Sequence, residues 1–157
     1  MVNILFVCTG NICRSPMAEG ILKDKLKHLH FQAEVDSCGF ESFHVGDAPD
    51  SRAQEVAKER GIDISSHRAR LFTMKDFDRF DYIYAMDSSH YNNIIRLARN
   101  DADVEKVDYL LNVLSPGQNT GVQDPWYHDM KAFERVYIQL EEACKQITLN
   151  LVNQPHK

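Results

Sequence analysis

The chain has 157 residues, of which 43% are hydrophobic and 26% are charged, values typical of one globular domain. This composition excludes a disordered chain, a collagen-like repeat and a small disulfide-dependent scaffold. The 18 basic and 23 acidic residues give a net charge of −5, which disfavours nucleic acid as a partner because phosphate backbones are bound by basic surfaces. The sequence therefore predicts a single domain over residues 1–157.

No stretch of the sequence has the ~18 apolar residues that a bilayer-spanning helix needs. The N-terminal apolar run ends at Cys8-Thr9-Gly10, too early for the hydrophobic region of a signal peptide. We therefore expect a cytoplasmic protein that does not bind membranes. In a reducing compartment its four cysteines are expected to be free thiols.

Apolar runs and turn residues predict strands that alternate with helices along the chain. The strands are expected at residues 3–8, 34–37, 82–86 and 107–111. The first helix is expected to open at Ser15-Pro16, because serine is a good N-cap and proline suits the first turn. Further helices are expected at residues 51–60, 74–80, 88–99 and 130–152, with loops at 39–50 and 115–129. This order predicts an α/β fold whose parallel sheet is covered by helices on both faces.

The first strand-to-helix turn, residues 8–15, has the features of an anion-binding site. Ligands of parallel α/β folds bind beyond the carboxyl ends of the strands, and Cys8 ends the first predicted strand. The backbone amides of such a turn and the positive end of the following helix favour phosphate or another oxyanion. Gly10 and Asn11 tolerate the left-handed backbone that an inward-curling loop requires.

The same turn carries a nucleophile and a cation. Its positive field favours the thiolate form of Cys8, which is the reactive form. Arg14 can bind two phosphate oxygens at once, and Ser15 can donate its hydroxyl to the sulfur. A Cys-x5-Arg spacing often arises by chance, so the prediction depends on the strand before it and the helix start after it. The alternative is a buried cysteine that happens to precede a helix.

Over nearly its whole length the sequence resembles the low-molecular-weight protein tyrosine phosphatases. The segments that carry the resemblance are VCTGNICRSPMAEG, VDSCG, FHVGDAPDSRA, ISSHRAR, FDYIYAMD and QDPWY. The resemblance implies a four-stranded parallel sheet flanked by helices. It also implies hydrolysis of phosphotyrosine in protein substrates, through a thiophosphate intermediate and without a cofactor or metal ion.

The resemblance further implies the roles of individual residues. Cys8 is the nucleophile, Arg14 binds the phosphoryl oxygens, and Asp124 is the general acid that protonates the leaving group and then activates water. Asn11 shapes the loop through hydrogen bonds in a network that includes Ser15, Ser37 and His67. The residues expected to bind the substrate are Thr9, Gly10, Asn11, Ile12, Cys13, Ser15, Phe43, Trp126 and Tyr127.

By the same resemblance, Phe43, Trp126 and Tyr127 line the mouth of the pocket. Flat aromatic walls would hold a phenyl ring and select phosphotyrosine over the shorter phosphoserine. From the residues alone, core packing is the alternative for these aromatics, and a simple turn is the alternative for Asp124-Pro125. His44 and Asp47 lie either on the same rim or in an ordinary solvated loop.

Three other functions are alternatives. An arginine phosphatase of the same fold carries threonine where this chain has the bulkier, apolar Ile12. A thioredoxin-coupled arsenate reductase has two further redox cysteines near the third strand, and residues 82–101 contain no cysteine. A non-catalytic phosphate-binding module would lack the nucleophile or the acid, whereas both Cys8 and Asp124 are present. Phosphotyrosine hydrolysis is therefore the function that the sequence favours.

Cys13 lies five residues from Cys8 on the same loop, which suggests redox control. We expect peroxide to oxidise the Cys8 thiolate to a sulfenic acid. Cys13 would then convert this acid to a disulfide and protect Cys8 from irreversible oxidation. The alternative is that Cys13 only packs beneath the loop.

Overall fold

A computed structural model describes residues 1–154, so the last three residues of the predicted domain lie outside it. The centre of this part of the chain is a sheet of four parallel strands: β1 (Val2–Cys8), β2 (Ala33–Gly39), β3 (Tyr82–Ala85) and β4 (Val107–Tyr109). The strand order is β2-β1-β3-β4, so the chain runs from β1 to β2 and then crosses back past β1 to β3. The predicted α/β fold with a parallel sheet is confirmed.

Helices connect the strands and cover both faces of the sheet. Within residues 1–154 the α-helices are α1 (Arg14–His28), α2 (Ser51–Glu59), α3 (Lys75–Arg79), α4 (Ser88–Leu97), α5 (Asp101–Glu105) and α6 (Met130–Asn153). Two short 3-10 helices lie at Ser42–His44 and Leu110–Val113. None of the helices in the described part of the chain is long and apolar enough to span a membrane.

The central strand β1 is buried on both faces, and its side chains alternate between two hydrophobic cores. Ile4 and Phe6 face the core that α1, α2 and α6 cover. Leu5 and Val7 face the second core, which contains Phe77 of α3. Burial on both faces explains why β1 is a continuous apolar run rather than an alternating one.

The predicted helix 88–99 ends two residues early in the structure, and a second short helix follows it. α4 ends at Leu97, and Ala98 has an extended backbone (φ −62°, ψ 134°). Asn100 then caps α5, an element without a predicted counterpart, by accepting a hydrogen bond from the backbone N–H of Asp103. Asparagine is among the strongest N-cap residues, so its presence directly after the predicted helix was the signal for a new one.

The fourth predicted strand, 107–111, is two residues too long. β4 ends at Tyr109, and Leu110 begins a 3-10 helix although both residues are buried. Asn112 Nδ2 donates a hydrogen bond to Asp108 Oδ1 at 2.7 Å, which stabilises this turn. An apolar run indicates that a segment is buried but does not distinguish a strand from a 3-10 helix. The predicted strand therefore extends two residues too far.

Candidate active site

The loop of residues 8–15 joins β1 to α1 at the carboxyl edge of the sheet. The end of β2 lies directly against it: Phe40 N donates to Thr9 O at 2.9 Å, and a Cβ on Gly39 would lie only 2.5 Å from the same oxygen. Asn11 has the predicted left-handed backbone (φ 58°), but the same prediction for Gly10 is wrong. A Cβ on Gly10 would lie 3.0 Å from His44 Cδ2, so a larger residue there would require a small movement of the His44 side chain.

Ser15 does not cap the first helix, so that prediction is also wrong. α1 begins at Arg14, and its N-cap is Cys13, which makes no side-chain capping bond. The buried Ser15 hydroxyl lies 2.9 Å from Cys8 Sγ, within hydrogen-bonding distance. Because α1 already begins at Arg14, Ser15 lies inside the helix, and its hydroxyl contacts the sulfur instead of capping the helix.

A buried hydrogen-bond network holds Asn11 beneath the loop. Its Nδ2 donates to Ser15 Oγ at 2.8 Å and to Ser37 Oγ at 2.9 Å. Its Oδ1 lies 3.0 Å from His67 Nε2, so the structure contains the three contacts that the resemblance implies. Ser37 in turn donates to Glu19 Oε1 at 2.7 Å, which extends the network into α1. These hydrogen bonds hold Asn11 in the left-handed backbone conformation that the loop requires.

The guanidinium of Arg14 is almost fully buried at the base of the loop, with 2% of the side chain exposed. Its Nη1 donates to Asp87 Oδ2 at 3.1 Å and to Val122 O at 2.8 Å. Burial raises the pKa of Asp87, but hydrogen bonds from Ser89 and Arg14 outweigh this effect and hold the pKa below its usual value. Asp87 is therefore the ionised partner that a buried cation needs.

His90 orients the Thr9 hydroxyl, which is the third hydrogen-bond acceptor of Arg14. Its Nε2 lies 2.8 Å from Thr9 Oγ1, and its Nδ1 lies 3.2 Å from Asp87 Oδ1. Burial, together with the charge of Arg14, lowers the pKa of His90 to about 4, so the ring is neutral. Among the described residues Nδ1 makes no hydrogen bond, so Nε2 orients the ring, and this nitrogen can accept the Thr9 hydroxyl proton. Thr9 Oγ1 is then free to accept from Arg14 Nη2 at 3.2 Å.

Asp124 reaches the same place from the long loop between β4 and α6. Its Oδ2 lies 3.7 Å from Arg14 Nη2, and its side chain is 41% exposed. Its Oδ1 accepts a hydrogen bond from the backbone N–H of Trp126 at 3.1 Å. The carboxyl group is thus held beside the guanidinium and remains open to solvent.

Cys8, Arg14 and Asp124 line one cavity of about 410 Å³. Of the residues predicted to bind substrate, all but two line this cavity: Thr9, Gly10, Ile12, Cys13, Phe43, Trp126 and Tyr127. Asn11 and Ser15 are fully buried below the loop and do not line it. Glu41 and His44 complete the lining, and neither belongs to the predicted substrate-binding set.

Aromatic rings surround the mouth of the cavity. Phe43 and Tyr127 are 85% and 86% exposed, so neither packs in the core. The His44 ring lies between Phe43 and Trp126, with centroid distances of 4.9 and 5.4 Å. His44 lines the cavity, and its Nδ1 lies 3.2 Å from Oδ2 of Asp47, which does not line it. These aromatic rings therefore form part of the wall of the cavity that Cys8 lines.

Two further residues of the site could have been found from the sequence. Asp87 and His90 follow the carboxyl end of β3. Ligands of parallel α/β folds bind beyond the carboxyl ends of the strands, so the argument that identifies Cys8 applies to these two residues as well. Glu41 gives no such signal, since it is one of many exposed acidic residues. Across residues 1–154 no three His, Cys, Asp or Glu side chains are grouped to hold a metal ion.

Comparison with known proteins connects this geometry to one family. A sequence model of the low molecular weight phosphotyrosine protein phosphatases matches residues 3–156. The chain is 43% identical to the low molecular weight phosphotyrosine protein phosphatase of Schizosaccharomyces pombe, over 88% of this chain and 90% of the relative. It is 36% identical to the corresponding Gallus gallus protein, over 91% of each. The crystal structure of a protein tyrosine phosphatase from Entamoeba histolytica, with Hepes in its active site, matches with a TM-score of 0.89, 36% identity and 97% coverage of both chains.

Proposed function

Because the chain belongs to the low molecular weight phosphotyrosine protein phosphatase family, we propose that it hydrolyses phosphotyrosine in proteins through a thiophosphate intermediate on Cys8. One observation carries the proposal: the Cys8 thiol, the Arg14 guanidinium and the Asp124 carboxyl line a single cavity. These groups are the nucleophile, the phosphoryl-binding cation and the proton donor that the reaction needs.

In the first step the Cys8 sulfur attacks phosphorus and the bond from phosphorus to the tyrosine oxygen breaks. Arg14 and the loop amides bind the phosphoryl oxygens, whose negative charge is spread over the transition state. Protonated Asp124 gives its proton to the departing phenolate oxygen. The Ser15 hydroxyl, 2.9 Å from Sγ, stabilises the negative sulfur before attack and when it leaves again.

The second step frees the enzyme. The Asp124 carboxylate takes a proton from a water molecule, whose oxygen attacks phosphorus while the phosphorus–sulfur bond breaks. The products are inorganic phosphate and the Cys8 thiolate, with Asp124 protonated again. The charge of the transition state falls on Arg14 and backbone amides, so the proposed mechanism requires no metal ion.

The aromatic entrance supports phosphotyrosine as the substrate class. Phe43 and Tyr127 expose most of their rings above the cavity, and Trp126 forms part of its wall. A tyrosine ring can lie between such faces while its phosphate reaches the loop. Phosphoserine is too short to place its phosphate on the loop and keep its backbone outside the entrance.

Assays on matched phosphopeptides test this proposal. We expect wild-type protein to hydrolyse a phosphotyrosine peptide in the presence of EDTA and to act much more slowly on the phosphoserine version of the same peptide. The phosphate released by each peptide is the quantity measured. Loss of activity in EDTA that an added divalent ion restores, or a preference for phosphoserine, would contradict the proposal.

We also expect Ile12 to control the choice between phosphotyrosine and phosphoarginine. Its side chain is apolar and lines the cavity beside the nucleophile. Ile12→Thr removes apolar bulk and adds a hydroxyl that can accept from a guanidinium, so the ratio of phosphoarginine to phosphotyrosine hydrolysis should rise. Ile12→Val is the matched control, since it reduces bulk without adding a polar group. A wild-type protein that already prefers phosphoarginine would overturn the tyrosine assignment.

Cys13 is expected to protect Cys8 during oxidation. Burial, and then the negative charge of Cys8, raises the pKa of the Cys13 thiol, so it is poorly reactive in the resting protein. Peroxide converts Cys8 to a neutral sulfenic acid and removes the second of these causes. The Cys13 sulfur can then attack the sulfenic sulfur, which forms a disulfide and expels water.

Peroxide inactivation followed by dithiothreitol measures this protection. Wild-type protein should recover most of its activity, and Cys13→Ser should recover much less because Cys8 is oxidised further. The control is Cys144→Ser, which removes a buried thiol that does not line the cavity. Equal recovery in wild type and Cys13→Ser would leave Cys13 with a packing role only.

A further inference from the structure

One charge pair connects the phosphate-binding loop to the segment that carries Asp124. Asp50 caps α2, and its backbone N–H donates to Ile12 O in the loop at 2.8 Å. Arg52 donates through Nε to Asp50 Oδ1 and through Nη2 to Asp50 Oδ2, both at 3.0 Å. These bonds outweigh the effect of burial and hold the pKa of Asp50 below its usual value. The pair is therefore ionised and fixed to the loop.

Arg52 also contacts the segment that follows Asp124. Its Nη2 donates to Trp126 O at 3.1 Å, and its Nη1 donates to His128 O at 2.9 Å. Its guanidinium lies over the Phe133 ring, 4.5 Å from the centroid, which fixes its plane. One arginine thus joins Asp50 to two backbone carbonyls of the acid segment.

Arg52 is connected to Asp124 through a single residue, Trp126. Arg52 binds the carbonyl of Trp126, and the amide of Trp126 donates to Asp124 Oδ1 at 3.1 Å. Arg52 itself does not line the cavity. Its hydrogen bond to the Trp126 carbonyl connects it to two residues that do line the cavity, Trp126 and, through the Trp126 amide, Asp124.

We propose that Arg52 is a positioning residue that holds Asp124 in place to protonate the leaving group. This inference rests on the proposed function, because it needs Asp124 to be the general acid. Proton transfer requires hydrogen-bonding distance between the acid and the departing oxygen. A misplacement of about 1 Å by a change outside the reacting groups can cost about 10²-fold in rate.

The experiment compares two substrates with different leaving groups in Arg52→Gln. We expect kcat/KM for phosphotyrosine to fall by about 10- to 100-fold, because phenolate departure needs the acid. The kcat/KM for p-nitrophenyl phosphate should fall much less, since nitrophenolate leaves with little protonation. This parameter includes no step after phosphorus–oxygen cleavage, so slow hydrolysis of the intermediate cannot mask the difference.

Two matched variants separate positioning from general damage. Arg60 lies at the other end of α2, with its guanidinium 4.8 Å from the Tyr137 ring centroid and a hydrogen bond to Val56 O. Arg60→Gln removes a similar stacked arginine and should leave kcat/KM for both substrates unchanged. Arg52→Lys keeps the charge but has only three N–H donors for the four acceptor atoms that Arg52 bonds, so its loss should be intermediate.

A double mutant decides whether Arg52 acts through Asp124. In an Asp124→Ala background, Arg52→Gln should cause little further loss on phosphotyrosine. An equal loss on both substrates, or a full additional loss in the Asp124→Ala background, would overturn the inference while the acid role of Asp124 stands. If Asp124→Ala itself does not distinguish the substrates, the acid assignment fails and the inference fails with it. Should Arg52→Gln not fold, as judged by thermal unfolding, the same comparisons with Arg52→Lys carry the test.

Discussion

Cys8→Ser is expected to abolish turnover, with a loss of at least about 10⁴-fold in kcat. The hydroxyl of serine stays protonated at neutral pH and is a far weaker nucleophile than a thiolate. The cavity around the phosphate should survive, because Arg14 is held by Asp87, Val122 and Thr9 rather than by the sulfur. The variant should therefore still bind inorganic phosphate, which calorimetry or the ligand-induced rise in melting temperature measures.

The comparison variant for this loss is Cys144→Ser. Its thiol is buried and donates to Ala18 O, a bond that serine can also make. It should retain wild-type turnover, and inorganic phosphate and vanadate should inhibit it competitively. Substantial turnover in Cys8→Ser with an unchanged KM would mean that another group attacks phosphorus.

Asp124→Ala is expected to lower kcat/KM for phosphotyrosine by about 10²- to 10⁴-fold, the range typical of a general acid. The loss on p-nitrophenyl phosphate should be much smaller, because its leaving group is already acidic. We expect this contrast because the proposed role of the Asp124 carboxyl is to protonate the departing oxygen. Steady-state kinetics on the two substrates provide the measurement.

Asp47→Ala serves as the control for the carboxyl group. Asp47 is an exposed loop residue that contacts His44, and it does not line the cavity. Asp47→Ala should change kcat/KM only slightly, and to the same extent for both substrates. If Asp124→Ala instead lowers kcat/KM equally for the two substrates, Asp124 is not the general acid.

Local signals were sufficient to predict the sheet and the phosphate-binding loop. β1 is an apolar run because it is buried on both faces, and Cys8 marks its carboxyl end. Asn11 adopts a left-handed backbone that asparagine tolerates better than most residues. In each case the amino-acid type and its immediate neighbours determine the conformation.

Contacts between distant segments could not be predicted in the same way. His44 approaches Gly10 from a distant loop, and α1 begins one residue before Ser15, whose hydroxyl contacts Cys8. Arg52 reaches the carbonyl of Trp126 across 74 positions of the chain. The role of Asp124 likewise came from resemblance, since an Asp-Pro pair in a loop is by itself only a turn signal.

Covalent capture of the intermediate tests the central proposal most directly. In Asp124→Asn, p-nitrophenyl phosphate should still phosphorylate the enzyme, because its leaving group needs no acid, while hydrolysis slows for lack of a base. Rapid mixing should then show a burst of nitrophenol close to one equivalent per enzyme, and peptide mass spectrometry of the quenched protein should place the phosphoryl group on Cys8. A phosphoryl group on any other residue, or release of nitrophenol and phosphate in equal amounts from the first turnover, would contradict the proposal.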